Sequence, residues 1–376
     1  MSAPQFLSNY TADVLAAAAS HLAAGGLVAF PTETVYGLGA DASNAMGVAK
    51  IYSVKDRPAD HPLIVHVASI DGLGEWARDV PEYAISLARD YWPGPMTLVL
   101  KRSLLAKDFI TGGQDTVGVR VPNHPVALAL LEAFASIGGK GIAAPSANRF
   151  GQVSPTTAVA VAEEIGEFLD STDQIIDGGA CAVGVESTII DCTGDAPRIL
   201  RPGAITASMV EQSTGIQVTK VIGSSNVGVV NNSAGVNSDE IIRVSGSLEN
   251  HYAPAAKVLL CEIPSPGQGF IAHVNMETPA GVIRLASPQN DEEFAQILYS
   301  ALRQADAQGL AEVVVLQPIG IGIAVAIRDR LARAANGRGY HPKLVLLLDF
   351  GVLTPATASG VGVLNLRYDC GSQPQF

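Results

Sequence analysis

Four cations in the first 201 residues stand beside hydroxyls, amides and glycines, each where an apolar run begins or ends. Lys55 and Arg57 lie in Lys55-Asp-Arg-Pro58, just ahead of Pro62-Leu-Ile-Val-His66-Val67. Arg120 follows Thr116-Val-Gly-Val, and Arg201 opens Arg201-Pro-Gly203. Interleaved with them are Pro31-Thr32-Glu33-Thr34-Val-Tyr36-Gly-Leu-Gly39, Ala143-Ala144-Pro-Ser146-Ala-Asn148 with Ser154 following, and Gly184-Val-Glu-Ser187-Thr188. Cationic groups beside hydroxyls and glycines, where backbone can approach closely, suit an anion, either phosphate or carboxylate. Lys55 and Arg57 alternate, and Pro58 biases Arg57 towards extended backbone, so both cations would project to one side. Taken singly, each stretch also fits something plainer: a solvated loop with a chance Lys-x-Arg, or, for Pro-Ser-Ala-Asn, a turn with a helix cap.

Missing signatures narrow the chemistry. The chain has no GxxxxGK[ST] loop, no GxSxG elbow, no HExxH and no paired Cys ligands. Its four cysteines are scattered without CxxC spacing, which predicts buried or inert thiols rather than a zinc site or a disulfide framework. Hydroxyls and cations without an evident nucleophile suit reactions in which both reacting groups belong to substrates. Phosphoryl or nucleotidyl transfer is such a case, because positioning and charge stabilisation supply most of the catalysis. A net charge of −12 excludes a surface that coats nucleic acid generally, so anion binding must come from a local pocket.

The elements that must position these residues read as α/β. Short strands are predicted at Leu27–Phe30, Leu63–Val67, Thr97–Leu100, Val117–Val121, Gly141–Ala144, Gln174–Asp177, Ser187–Asp191 and Ile199–Arg201, with helices at 11–24, 44–53, 81–91, 125–136 and 156–168. Pro31 ends the first strand and leaves Thr32 to Tyr36 on a turn, where ligand-binding side chains often sit. The sheet is expected to be mixed. At 376 residues, 48% hydrophobic, the chain is long enough for two domains. Residues 1–206 form the first. Residues 207–254 read as a flexible linker, rich in Ser, Asn and Gly between 213 and 239, with a possible strand at Gln217–Ile222. Residues 255–376 read as a smaller α/β domain: strands Lys257–Cys261, Gly281–Arg284 and Glu312–Leu316, helices Asp291–Ala307 and Ala324–Ala335. Gly320-Ile-Gly322 echoes a dinucleotide fingerprint but lacks its third glycine and its acid, so simple strand-to-helix packing is the preferred reading. The tail after Gly339 offers one apolar run, Leu344–Phe350. Without a signal peptide or an apolar run of membrane-spanning length, the expected location is cytoplasmic, with no membrane partner.

In order, Pro31-Thr-Glu-Thr-Val-Tyr-Gly-Leu-Gly39, Lys55-x-Arg57-Pro with Pro62-Leu-Ile-Val-His66, Pro145-Ser-Ala-Asn148, Gly184-Val-Glu-Ser-Thr188 and Arg201-Pro-Gly203 resemble the threonylcarbamoyl-AMP synthase family, whose catalytic unit is the YrdC-like domain. His251-Tyr-Ala-Pro254 and Gly320-x-Gly322 with Arg330-Leu-Ala-Arg-Ala-Ala335 are similar to the linker and C-terminal domain of the family's longer form. The resemblance implies a twisted, mixed-sheet YrdC-like domain with a concave basic cavity, followed by a Rossmann-like α/β domain. It implies that L-threonine, bicarbonate or CO2, and ATP give L-threonylcarbamoyladenylate and pyrophosphate, for modification of tRNA. By motif, Lys55 and Arg57 would be catalytic. Thr32 or Thr34, His66, Arg120, Ala144 and Ser187 would hold threonine. Lys55, Arg57, His61, Thr116, Ser146, Asn148, Ser154 and Arg201 would hold ATP, with Tyr252 closing over the site. Magnesium would ride on the ATP phosphates without an identified protein ligand, and the partner downstream would be a tRNA threonylcarbamoyl transferase, with possible tRNA contact.

Three positions depart from the family pattern: His61 and Asp329 each stand where it usually has Asn, and the tail from Tyr340 matches nothing. A non-catalytic module holding double-stranded RNA on a basic concave face is the rival from another class. Carbamoyl transfer in metallocentre maturation is a second rival, one that normally brings zinc-finger and acylphosphatase-like segments not seen here.

Overall fold

The computed structural model describes residues 3–8, 10–220, 242–244, 246 and 252–336. In chain order the first domain comprises β1 (Gln5–Leu7), α1 (Ala12–Ala23), β2 (Val28–Phe30), β3 (Gly37–Asp41), α2 (Ala45–Lys55), β4 (Ile64–His66), α3 (Leu73–Trp76), α4 (Glu82–Tyr91), β5 (Met96–Lys101), α5 (Asp108–Thr111), β6 (Thr116–Arg120), α6 (Pro125–Ser136), β7 (Ile142–Ala143), α7 (Ala158–Ile165), β8 (Gln174–Ile176), β9 (Thr188–Asp191), β10 (Arg198–Arg201), α8 (Ala207–Thr214) and β11 (Thr219–Lys220). The strands form one twisted sheet in the order β1-β8-β2-β3-β7-β4-β6-β5-β9-β10-β11. It is mixed: β4 runs parallel to β6, which puts His66 beside Arg120, while β7 runs antiparallel to both β3 and β4.

Period-two alternation sorts the core onto two faces. Leu27 and Ala29 join the larger cluster, with Val48 and Ile51 of α2, Leu87 of α4 and Val161 of α7. Val28 and Phe30 point the other way, into a second cluster with Leu22 of α1 and Leu130 of α6. Capping follows the sequence signals: the Thr11 hydroxyl accepts from Val14 N at the start of α1, and the Asn44 side chain accepts from Met46 N and Gly47 N at the start of α2. Strands β1 and β3 were not legible from pattern. Gly37 and Gly39 dilute the strand signal of β3, yet they are what let it pack, since a Cβ on Gly39 would meet the Phe30 ring and Ile142 at 2.8 Å.

The linker expectation needs one correction. Residues 207–214 form α8, capped by Thr206, with Val210 buried in the larger core and the Met209 carbonyl accepting from Tyr91 Oη at 2.8 Å. Residues 219–220 then add β11 beside β10. The polar composition concealed one buried valine and a single-faced helix. His251 and the run Leu344–Phe350 lie outside the described residues.

The second domain is a four-stranded, wholly parallel sheet of β12 (Lys257–Leu260), β13 (Gly269–Ile271), β14 (Ile283–Ala286) and β15 (Glu312–Val315), with helices α9 (Asp291–Ala307) and α10 (Ile323–Asn336). Its order, β12-β15-β13-β14, keeps the parallel α/β character of a Rossmann-like layer but inserts the last strand between the first two. Gly320 and Gly322 take positive φ in the turn before α10, the strand-to-helix packing role. Cys181 and Cys192 are buried free thiols, whereas Cys261 is disulfide-bonded, contrary to the expectation of inert thiols throughout. Among the described residues no helix is long and apolar enough to cross a membrane.

Candidate active site

The motifs converge on one cavity of about 50 Å³, lined by first-domain residues that include Thr34, Arg57, His66, Arg120, Ser187 and Arg201. Thr32, Ala144, Ser146 and Tyr252, also predicted, line it too, and so do Gly246 and Glu186, which were not. The cations sit where β6 and β10 end and just past α2, with His66 at the end of β4. All three guanidiniums are buried, Arg57 at 7%, Arg120 at 4% and Arg201 at 4% exposure, so they face the cavity rather than a surface groove.

Fixed partners hold each group. Arg201 donates to the Ser187 carbonyl from Nε and Nη2, at 3.1 and 3.0 Å, and to the Ser187 hydroxyl at 3.1 Å. That hydroxyl is also 2.8 Å from the Thr97 hydroxyl. Arg120 pairs with buried Glu33 at 2.8 Å, a contact of charges rather than a well-aligned hydrogen bond, and its Nε donates to the Gly94 carbonyl at 3.3 Å. Arg57 donates to the Pro62 carbonyl at 3.0 Å and lies 5.6 Å from the Phe150 ring centroid. Burial is the main cause that lowers its pKa to about 10.

Two threonines left open by sequence are distinguished by their bonding. The Thr32 hydroxyl donates to the Val35 carbonyl at 2.7 Å and accepts from the Thr34 and Val35 amides, an ST-turn that uses its capacity. The Thr34 hydroxyl lies 2.8 Å from it. Thr34, with that one side-chain contact, keeps hydrogen-bonding capacity for a ligand. His66 is neutral: burial, helped by nearby Arg120, pushes its pKa down to about 3. Its buried Nδ1 has no hydrogen-bond partner among the described residues.

Lys55 is placed differently from the sequence expectation. It is the last residue of α2, and Asp56 follows in a left-handed conformation (φ 52°), so Lys55 and Arg57 are not alternate residues of an extended strand. The Lys55 ammonium turns inward to the carbonyls of Ser146, at 2.7 Å, and Asn148, and it does not line the cavity. Burial, with Arg57 beside it, lowers its pKa well below the ordinary lysine value. Three other predicted ATP contacts also stand back from the cavity. The Asn148 amide donates to the Arg149 and Gln152 carbonyls at 2.7 and 2.9 Å, and the half-buried His61 ring meets Phe150 edge-on at 5.2 Å. The Ser154 hydroxyl donates to Glu186 Oε1 at 2.7 Å. Thr116 lines an adjoining cleft of about 20 Å³ with Thr97, Gln114, Arg243 and Val244.

The second domain backs the wall at Glu186. Glu186 Oε2 accepts from Tyr299 Oη of α9 at 2.9 Å and from Arg330 Nε of α10 at 2.7 Å. Burial alone would raise the Glu186 pKa, but Arg330 and Arg201 together with the Ser154 hydroxyl hold it at about 2. Tyr252, 1% exposed, stacks on Tyr299 at 5.8 Å with Arg330 5.3 Å from its ring centroid. Glu186 and Arg330 both lie inside recognised motifs, yet a lone acid among cations and an arginine some 140 residues later carry no signal of pairing until the domains dock.

Comparison with known proteins agrees with this architecture. Residues 20–203 match a family model described as Telomere recombination, and residues 205–336 match one described as Threonylcarbamoyl-AMP synthase, C-terminal domain. A threonylcarbamoyl-AMP synthase of Pyrococcus abyssi is 40% identical over 337 residues, covering 85% of this chain and 94% of that protein. One from Bacillus subtilis is 38% identical over 344 residues, covering 86% and 93%. A crystal structure of P. abyssi Sua5 complexed with L-threonine superimposes with a TM-score of 0.74 at 36% identity, covering 89% of this chain and 98% of that one. With this identity sustained across both domains, the chain belongs to the threonylcarbamoyl-AMP synthase family.

Proposed function

We propose that the cavity condenses L-threonine, bicarbonate or CO2, and ATP into L-threonylcarbamoyladenylate and pyrophosphate. The observation that carries this reading is the convergence of three buried guanidiniums with the Thr34 and Ser187 hydroxyls on one cavity. Threonine's amine captures CO2 as a carbamate and releases a proton. A carbamate oxygen then attacks the α-phosphorus of ATP, and the bond to the β-phosphate oxygen breaks to release pyrophosphate. Thr34, His66, Arg120, Ala144 and Ser187 hold threonine: Arg120 suits its carboxylate, while neutral His66 and the Thr34 lone pairs suit hydroxyl or amine protons. Arg57 and Arg201 face the phosphates and stabilise charge as it develops on them. Lys55 acts from behind, by fixing the Ser146–Asn148 loop. The mixed anhydride formed is destroyed by water, which suits an enclosed site.

Magnesium would supply phosphate charge neutralisation. Glu33 and Glu186 are the carboxylates beside the cavity, both already engaged by arginine, and no cluster of three potential ligands occurs among the described residues. An ion arriving on the triphosphate fits this donor set better than one held by the protein. The product would pass to a tRNA threonylcarbamoyl transferase in the cytoplasm. Buried guanidiniums cannot reach the backbone of an RNA duplex, so the double-stranded RNA reading has no observation in its favour.

Incubation with ATP, bicarbonate and L-threonine should release pyrophosphate only when threonine is present. No threonine-dependent release would overturn the reading.

A further inference from the structure

The C-terminal domain contacts the cavity wall from behind, through Glu186 and Pro202. Arg330 is fully buried on α10, and besides its bond to Glu186 it donates to the Pro202 carbonyl at 3.0 Å. It thus grips the residue just before Ser187 and the residue just after Arg201, the two partners whose contact forms one side of the cavity. Glu186 itself lines that cavity. A carboxylate is a stronger acceptor for a guanidinium than the carbonyl and hydroxyl that Arg201 now uses. Left without Arg330, Glu186 would be a buried anion in a space built for anionic substrates, with Arg201 in the same wall to draw upon.

We infer that Arg330 is a positioning residue: by occupying Glu186, it keeps Arg201 on Ser187 and keeps the nucleotide side of the cavity cationic. The domain's contribution to catalysis is thereby the delivery of one neutralising charge, with Tyr299 and Ser154 fixing the remaining lone pairs of the carboxylate. Asp329 orients the delivered charge, since it pairs with Arg330 at 2.5 Å and with Arg333 at 3.1 Å. The aspartate is thus a working member of the network.

The inference rests on the proposed reaction, so its test first requires threonine-dependent pyrophosphate release by the full-length wild-type chain; absence of that release indicts the reaction, not Arg330. In Arg330→Met, the KM for ATP should rise about tenfold or more, as for loss of one member of a buried charge pair, while the KM for threonine stays within about twofold. Adding Glu186→Gln to Arg330→Met should recover most of the loss, because a neutral amide neither repels phosphate nor captures Arg201. A wild-type KM for ATP in Arg330→Met overturns the inference, as does an equal rise in both KM values. If Arg330→Met does not fold, the double variant decides alone, since it buries no unpaired charge. An ATP KM within about threefold of wild type supports the inference, and one about tenfold higher or more overturns it.

Discussion

At the scale of single residues, Lys55 and Arg57 part company despite their spacing. Arg57 faces the cavity, and Arg57→Ala should lower threonine-dependent turnover by about 10²–10³, the usual effect of losing one preorganised donor. Lys55→Ala should show first in stability. It strands the buried carbonyl of Asn148 and the half-buried one of Ser146; an unpaired buried acceptor costs about 1–3 kcal/mol, so urea denaturation should register a loss of that order. Unchanged urea stability would remove the bracing role. Sequence made the cations visible because charge beside glycine and hydroxyl stands out. It did not reveal which of them turn inward, because that depends on Asp56 taking a left-handed conformation and swinging Arg57 out of line. His66 leads to a pH prediction. Its folded pKa, about 3, is below the ordinary value of 6.5, so between those limits the unfolded chain binds the extra proton and stability rises with pH. Stability should therefore fall as pH drops through this window, by at most about 1.4 kcal/mol per pH unit. His66→Gln should flatten that slope, as followed by thermal melts from pH 7 to 4, and an unaltered slope would show that His66 is not its source.

Among elements, the loop before β9 carries the coupling. Gly184 takes φ 78° and packs on α9, where a Cβ would overlap the backbone of Gln296 and the Ala295 carbonyl. The side chain of Gln296 reaches the Cys181 carbonyl at 3.5 Å, and Arg303 of α9 pairs with Glu164 of α7 at 2.9 Å. Gly184→Val should therefore push α9 off this loop, adding backbone strain of about 1–3 kcal/mol to the steric clash. Activity should fall with it, though the change is remote from any cation. Wild-type turnover in that variant would mean that the α9 contact does not set the site. Most strands and helices were legible because their apolar periods are regular. Strand β3 and helix α8 were not, the first because its glycines carry no strand propensity, the second because one buried valine is too little pattern to see.

Across the whole molecule, Val35, Val153, Val185 and Tyr252 share one apolar cluster with Phe294, Leu298 and Tyr299 of the second domain. A core that crosses the boundary, reinforced by buried Glu186–Arg330, predicts one cooperative unfolding transition rather than two. Calorimetry giving two resolved peaks would show that the domains are thermodynamically separate. The cavity has a consequence for apparent affinity. Its volume of about 50 Å³ is well short of the roughly 300–1,000 Å³ typical of sites that enclose a small organic ligand. Tyr252 forms part of its closure, its hydroxyl against the Cα side of Gly246, where no larger residue would fit. Under the proposed reaction, nucleotide would need the Tyr252–Gly246 contact to part, and the measured dissociation constant would be the intrinsic one divided by the fraction of molecules in which it has. Such a cost would fall on every ligand alike and would leave discrimination between amino acids to the groups inside.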